Sequence, residues 1–147
     1  MDDHFDLLRK VIDANRGVVV KTMGDAVMAT FTHPAAALKA MRRSQAELAA
    51  PGKGRLPFAL KCSIHQGPCL AINQNERLDY FGTTVNVAAR LCALSTGADI
   101  VISGRVQRDP EVAVLLGGPV DPLTARPDAA PLRGFGEAKF DFWRVTN

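Results

Sequence analysis

Two kinds of apolar spacing alternate along this chain, and their order constrains the fold more than any other feature of the sequence. In residues 2–16, apolar side chains recur at three- and four-residue steps, which predicts a helix. In residues 58–64, apolar side chains alternate with other residues, which predicts a half-buried strand. A chain that changes between these two spacings is expected to fold into packed layers of helix and sheet.

The remaining segments follow in the same way, with glycine and proline marking the breaks. Short apolar runs on either side of Gly24 predict a β-hairpin, and Thr32 is a suitable N-cap for the helix that follows. Four prolines in residues 117–131 predict a loop. The other expected elements are hairpin strands at 18–21 and 26–31, a helix from 34 to 49, a strand at 69–72, a helix from 83 to 94, a strand at 99–103 and a last strand at 139–145.

This order predicts an α+β fold of the ferredoxin-like sandwich type, in which antiparallel strands carry helices on one face. The 147 residues fit a single domain that spans residues 1–147. An apolar content of 47% and a charged content of 22% are ordinary for a globular protein, so nothing indicates disorder.

Composition also excludes several classes of function. The net charge of +3 suits an anionic small molecule as well as nucleic acid, but Lys and Arg form no long run, so no nucleic-acid-binding surface is expected. No apolar run approaches the roughly 20 residues that span a bilayer, and the N-terminus is too polar for a secretory signal. Cys62, Cys69 and Cys92 lack the spacing of a metal site, which favours reduced thiols in a cytoplasmic protein.

Asn86 and Arg90 stand out because they are polar residues in an otherwise small and apolar helix. Four residues of helix rise about 6 Å, so the two side chains are expected to lie one above the other. An amide and a guanidinium arranged in this way can hold a phosphate or a developing oxyanion. The structural alternatives are that Asn86 bonds its own backbone and that Arg90 pairs with Asp79 or Glu76.

Three further polar residues occupy unusual positions. Asp25 follows Gly24 in the predicted hairpin turn, and its carboxylate is the kind of oxygen ligand that Mg²⁺ prefers. Lys21 ends a strand and forms, with Asp79, a donor and acceptor pair able to read the edge of a base. Each residue also has a structural interpretation, since Asp after Gly commonly forms turns and a lysine commonly ends a strand.

Together these residues lie in segments that resemble the catalytic domain of class III nucleotidyl cyclases, the adenylate and guanylate cyclases. The likeness covers nearly the whole chain, in the family's order and spacing, and is carried by the segments VVVKTMGDAVMATF, LKCSIHQGPCLAI, DYFGTTVNVAARL, DIVISGRV and LRGFGEAKFDFWRV. The resemblance implies an enzyme that makes a cyclic nucleotide and pyrophosphate from a nucleoside triphosphate.

By this resemblance, each polar residue has an expected role. Asp25 is expected to be one of two aspartates that bind two Mg²⁺ or Mn²⁺ ions, Asn86 to orient the ribose, and Arg90 to stabilise charge on the α-phosphate. Lys21 and Asp79 are expected to recognise adenine, which implies that ATP is the substrate and cyclic AMP the product. In the family, the metal aspartates come from one subunit and the other four residues from its partner, so a homodimer with two sites is expected.

The chain departs from the family pattern at its start. The family domain begins with a strand that carries the other metal aspartate and then a helix, whereas MDDHFDLLRK resembles the family's second helix. Relative to the family, we therefore expect an N-terminally truncated domain that is weak or inactive by itself, with a possible upstream regulatory domain. A catalytically inactive cyclase-homology module that dimerises or binds nucleotide stays open as the alternative.

Overall fold

The computed structural model describes residues 3–23, 26–50, 59–67, 70–74, 77–117 and 123–146. None of the helices in these ranges is long and apolar enough to cross a membrane. In chain order the elements are α1 (Asp3–Ala14), β1 (Val18–Met23), β2 (Ala26–Thr30), α2 (Pro34–Ala49), β3 (Cys62–Ile64), β4 (Leu70–Gln74), β5 (Arg77–Phe81), α3 (Thr83–Cys92), β6 (Ile100–Ser103), α4 (Gly104–Gln107), α5 (Pro110–Leu115), β7 (Thr124–Pro131) and β8 (Lys139–Thr146).

The predicted α+β architecture is confirmed, and the three long helices and the last strand lie close to their expected positions. Helix α2 begins at Pro34, but its N-cap is His33 rather than Thr32, and the His33 side chain makes no capping hydrogen bond. The strand predicted at 58–64 is shorter than expected, because only Cys62–Ile64 pairs with a neighbour among its described residues. The two short helices α4 and α5 were not predicted.

The largest sheet among the described residues has four strands in the order β3-β6-β8-β7. Strand β8 is antiparallel to both of its neighbours, but β3 and β6 run parallel, with Cys62 opposite Ile100 and Ile64 opposite Ile102. The expectation of antiparallel strands is therefore wrong at this pair. Helix α3 lies in the connection between β3 and β6, and a crossover through a helix can return the chain in the same direction.

Helices cover both faces of this sheet, whereas the sequence predicts helices on one face. Ile100 and Ile102 of β6 belong to one apolar cluster with Leu38 of α2, while Val101 belongs to another with Leu91 of α3. Because neighbouring residues of a strand point to opposite faces, the two clusters lie on opposite sides of β6. The prediction was wrong because β6 is apolar at successive positions, and such a strand needs cover on both faces.

Two hairpins form separate two-stranded sheets. The β1–β2 hairpin is the one predicted around Gly24, and its register shifts between Val19 and Lys21. The second hairpin pairs β4 with β5 in antiparallel register. Strand β1 also contacts β5, so the two hairpins are neighbours in the fold.

The prediction of a loop over residues 117–131 is wrong for its second half. Thr124–Pro131 forms β7, which pairs with β8 along its whole length at one end of the sheet. An end strand needs hydrogen bonds on one side only, so proline can occupy the positions whose nitrogens face away from the neighbour. Pro127 and Pro131 are an even number of residues apart and therefore occupy the same kind of position. The other two prolines of the segment lie outside the described residues.

A buried carboxylate at the start of β6 ties several elements together. The Asp99 side chain accepts a hydrogen bond from the Ser95 hydroxyl at 3.0 Å and one from Arg144 Nη1 of β8 at 2.8 Å. Arg144 also donates to the Leu94 carbonyl at 2.9 Å and, through Nε, to the Asp128 carboxylate of β7 at 2.8 Å. The network therefore joins the segment after α3 to the strands β6, β7 and β8.

The hydrogen bonds in this network decide the ionisation of Asp99. Burial by itself raises the pKa of this carboxyl, but the Thr96 amide, Arg144 and the Ser95 hydroxyl outweigh burial and lower the pKa below its usual value. The Asp99 and Arg144 side chains are only 6% and 17% exposed, so their attraction is little screened by solvent.

We predict that Asp99→Asn lowers the free energy of unfolding at pH 7 by roughly 2–3 kcal/mol, because Arg144 loses its buried charged partner. Since the pKa of Asp99 is lowered on folding, this contribution is present above the unfolded value of about 3.9 and is lost as the pH falls below it. Urea unfolding of the variant and the wild type from pH 7 to pH 3 measures the effect. The exposed Asp128→Asn is the control and should cost less; an equal loss from both variants would contradict the prediction.

Candidate functional site

Helix α3 separates a buried face from an exposed polar face. Val87 and Leu91 are buried against the sheet, while Asn86 and Arg90 are exposed, one helical turn apart on a separate, solvent-facing side. The helix begins after Gly82, whose φ of 129° is a backbone conformation that other residues rarely adopt. The predicted pairing of Asn86 and Arg90 on one face is therefore what the structure contains.

The described residues do not use this polar pair to hold the fold together. The Arg90 guanidinium forms no ion pair and the Asn86 amide forms no side-chain hydrogen bond with any described residue. The sequence left Asp79 and Glu76 open as local partners of Arg90. Glu76 and the side chain of Asp79 lie outside the described part of the chain. An exposed amide and guanidinium one turn apart can bind an anionic oxygen from outside.

The strands expected to carry the base-reading residues lie next to α3. Lys21 is half-buried on β1, opposite Met28 of β2, and Asp79 lies on β5, opposite Ile72 of β4. Strand β1 contacts β5, and β5 contacts α3. The structure therefore brings together the elements that carry Lys21, Asp79 and the α3 pair.

The expected metal ligand, Asp25, lies outside the described residues. The residues on either side of the Gly24–Asp25 connection, Met23 and Ala26, are paired in the β1–β2 hairpin. Across the described ranges, no group of three or more His, Cys, Asp or Glu side chains could hold a metal ion. The described side chains therefore supply no metal site of their own.

The thiols show no reactive character. Cys62 is buried, and burial, followed by the nearby Cys92 and Asp99, raises the pKa of its thiol to about 12. Burial likewise raises the pKa of Cys92, which is partly exposed. Both are free thiols, as the sequence predicts, while Cys69 lies outside the described residues.

The sequence also missed two polar residues at the carboxyl ends of β3 and β6. The nitrogen Nδ1 of His65 and the hydroxyl oxygen of Ser103 are buried and have no hydrogen-bond partner within the described part of the chain. Burial, followed by the positive charge of Arg105, lowers the pKa of His65. The sequence signal that could have indicated His65 was its position directly after an apolar strand and before Gly67. No local sequence rule connects His65 with Ser103.

Known proteins are similar to this chain in sequence. The sequence pattern that defines the adenylate and guanylate cyclase catalytic domain matches residues 1–111. The chain is 32% identical over 124 residues to adenylate cyclase 1 of Rhizobium meliloti, which covers 72% of this chain and 19% of that protein. It is 33% identical over 128 residues to an uncharacterized protein of Mycobacterium tuberculosis, covering 85% of this chain and 31% of the relative. The chain thus spans less than a third of the length of these relatives.

Solved structures share the fold. An adenylate cyclase from Trypanosoma brucei in its monomeric state matches with a TM-score of 0.79 at 17% identity, over 97% of this chain and 75% of that chain. The guanylate cyclase domain from Catenaria anguillulae in complex with GTP gives 0.75 at 18% identity, over 98% and 80%. An adenylate/guanylate cyclase/hydrolase from Silicibacter pomeroyi gives 0.69 at 25% identity, over 98% and 80%. The chain therefore belongs to the adenylate and guanylate cyclase catalytic domain family and has the α+β fold of the class III cyclases.

Proposed function

We propose that this domain is the catalytic domain of an adenylate cyclase, which converts ATP into 3′,5′-cyclic AMP and pyrophosphate at a homodimer interface in the cytoplasm. The observation that carries the proposal is the exposed pair Asn86 and Arg90, on a helix that buries Val87 and Leu91 against the sheet. An outward-facing guanidinium and amide that the described fold does not use are available to a phosphate group.

The roles of the two α3 side chains follow from the reaction. The ribose 3′-oxygen attacks the α-phosphorus and pyrophosphate leaves, so negative charge grows on the phosphate oxygens. The Arg90 guanidinium can donate two parallel hydrogen bonds to those oxygens, and these strengthen as the charge grows. The Asn86 amide, one turn away, is spaced to hold the ribose beside that phosphate.

The proposed metal ligand of this chain is Asp25, in the connection between β1 and β2. Its carboxylate suits Mg²⁺ or Mn²⁺, which prefer oxygen ligands. Two such ions, when bound in a complete domain, would neutralise the triphosphate and make the 3′-hydroxyl more acidic.

Adenine selection is proposed for Lys21 and Asp79, which lie on the neighbouring strands β1 and β5. Adenine offers a ring-nitrogen acceptor, which matches the lysine ammonium, and an exocyclic amine donor, which matches the aspartate. Guanine offers an N–H and a carbonyl at the same places, so both contacts would be mismatched and left unsatisfied. The adenylate cyclase of Rhizobium meliloti among the relatives supports this choice of base.

The competing function is a catalytically inactive module that dimerises or binds nucleotide. Incubation with ATP and Mn²⁺ separates the two, because only the enzyme forms cyclic AMP. Binding of ATP without any cyclic AMP, in this chain and in a longer form of the protein, would favour the inactive module.

We predict that Arg90→Ala, in a longer form of the protein that forms cyclic AMP, lowers the rate about 10²- to 10³-fold, the usual loss for one transition-state donor. The free energy of unfolding should change by no more than about 0.5 kcal/mol, because Arg90 is exposed. Initial rates and urea unfolding measure the two effects. Arg43→Ala, which removes an exposed arginine of α2, is the matched control and should keep full activity. Equal turnover in Arg90→Ala and wild type would remove Arg90 from its role.

A mixing experiment tests whether two copies share each site. Asp25→Asn and Arg90→Ala should each be nearly inactive alone, since every site in either homodimer lacks one group. A mixed dimer contains one site with both groups intact, so an equal mixture should recover about a quarter of the wild-type rate. Mixing Asp25→Asn with inactive Asp25→Ala is the control and should recover nothing. No recovery in the first mixture would contradict a shared site.

We predict that Lys21→Glu combined with Asp79→Asn lowers the preference for ATP over GTP about 10²-fold or more, since each buried mismatch costs on the order of 1–3 kcal/mol. The new glutamate accepts from the guanine N–H and the new asparagine donates to the carbonyl. The ratio of kcat/KM for the two nucleotides measures the change. Lys61→Glu, the same lysine-to-glutamate change at an exposed position, should leave the ratio unaltered. An unchanged ratio in the double variant would assign base selection elsewhere.

A further inference from the structure

The carboxyl ends of the parallel strands β3 and β6 bring the buried Ser103 and the half-buried His65 side by side. Ile64 lies opposite Ile102, so the next residues along, His65 and Ser103, are also neighbours. Both project toward the α3 side of the sheet, because Ser103 lies opposite Phe142 of the cluster on that side and His65 makes an edge-on ring contact with Phe140.

Neither polar group has a partner in the described structure. Ser103 is 2% exposed and its hydroxyl makes no hydrogen bond with any described residue. The Nδ1 atom of His65 is also buried and unbonded in the same part of the chain. A proton added at Nδ1 would therefore place a charge on a buried nitrogen beside an uncharged hydroxyl, which cannot neutralise it.

Two contacts fix where α3 lies above His65. The Ser63 hydroxyl donates to the Ala88 carbonyl at 2.6 Å, and a methyl group added at Gly67 would come within 2.7 Å of the Thr84 hydroxyl. The helix therefore runs antiparallel to β3. From Ser63 to Gly67 the chain advances by four residues, and the contacted residue of α3 moves back by four, from Ala88 to Thr84. His65 therefore lies under the first turns of the helix, between Thr84 and Ala88.

Two sources of positive charge act on the His65 ring. The helix end above it carries a partial positive charge from its unbonded N–H groups, and α3 has no acidic residue in its first turn to offset that charge. Arg105 of α4 acts on His65 with the same sign. On β8, Lys139 and Asp141 alternate with Phe140 and so point to the other face.

Asp128 of β7 is on the same face of the sheet, but it lies three strands from β3 and is paired with Arg144, so it does not compensate the ring. Arg90 lies on the exposed face of α3, and Lys61 is four residues from His65 along the chain, roughly 13 Å in extended backbone. Strand β6 carries no ionisable side chain. The charged side chain that acts on the ring from the described elements, Arg105, is therefore positive.

We propose that His65 is a positioning residue whose neutral ring supports the first turns of α3, and whose protonation loosens those turns and the Asn86 side chain they carry. The structural part stands by itself, while its consequence for turnover rests on the proposed function. The ring is neutral at pH 7, since burial and then Arg105 lower the pKa of His65. Because the folded pKa lies below the unfolded value of about 6.5, protonation costs stability progressively as the pH falls below 6.5.

Hydrogen exchange of the α3 amides tests this in the unmodified chain. Between pH 7.5 and pH 5.5, after correction for intrinsic exchange, we expect the opening of residues 84–88 to rise roughly two- to fivefold. His65→Asn should abolish the rise, while His33→Asn, which changes the exposed histidine beside Glu111, should keep it. Arg105→Gln should move the midpoint to higher pH, because one repelling charge is removed.

Two results would overturn the proposal. One is a pH-independent opening of α3 in the wild type, or a rise that persists in His65→Asn. The other is an NMR titration of the wild-type His65 ring with a midpoint at or above the ordinary value, which needs no variant to fold. Neither readout depends on cyclic AMP formation, so failure of the proposed activity and failure of this inference are distinguishable. If both proposals hold, turnover should fall with α3 protection in wild type but not in His65→Asn.

Discussion

The short strand β6 must be covered on both faces and paired on both edges, and this constraint organises the domain. All four of its residues are buried, and three in succession are aliphatic. Its edges pair with β3 and β8. One of its faces packs in a cluster with α2 and the other in a cluster with α3. Because α3 is one of these covers, the buried face of α3 is set by β6, and the direction of its polar face follows.

The Asp99 network stabilises this arrangement at the turn between α3 and β6. The α3 helix ends where the chain turns back into β6, and the buried carboxylate receives hydrogen bonds from that turn and from Arg144 of β8. The Gln45 amide of α2 donates to the Leu60 and Asp99 carbonyls, both at 2.8 Å. Polar contacts thus fix the relative positions of α2, α3 and β8, which apolar packing alone would allow to slide.

The sequence predicted local structure well and spatial neighbours poorly. Apolar spacing located α1 and α2, and the stretch of small apolar residues after Gly82 located α3. The parallel pairing of Cys62–Ile64 with β6 was missed, because strand order depends on distant segments. Strand β7 was missed since prolines are tolerated on a strand with one free side, a fact of position in the sheet.

In the candidate site, Asn86 and Arg90 were predicted because polar residues were out of place in an apolar helix. His65 and Ser103 were not, because their proximity arises only from strand register.

Because Arg90 is exposed, the proposed phosphate-binding site needs a second protein surface to enclose it. Two unit charges 4 Å apart attract by about 1 kcal/mol in water and by about 4 kcal/mol at the effective dielectric near a protein surface. The guanidinium on an open helix face therefore stabilises a phosphate only weakly, and the same guanidinium enclosed beside a partner stabilises it several times better. Under the proposed function, a second copy of this chain would bring its own Asp25 to the exposed face of α3. In the proposed homodimer, enclosure would supply both the Asp25 carboxylate and the water-poor surroundings in which Arg90 is effective, so that activity would depend on dimerisation.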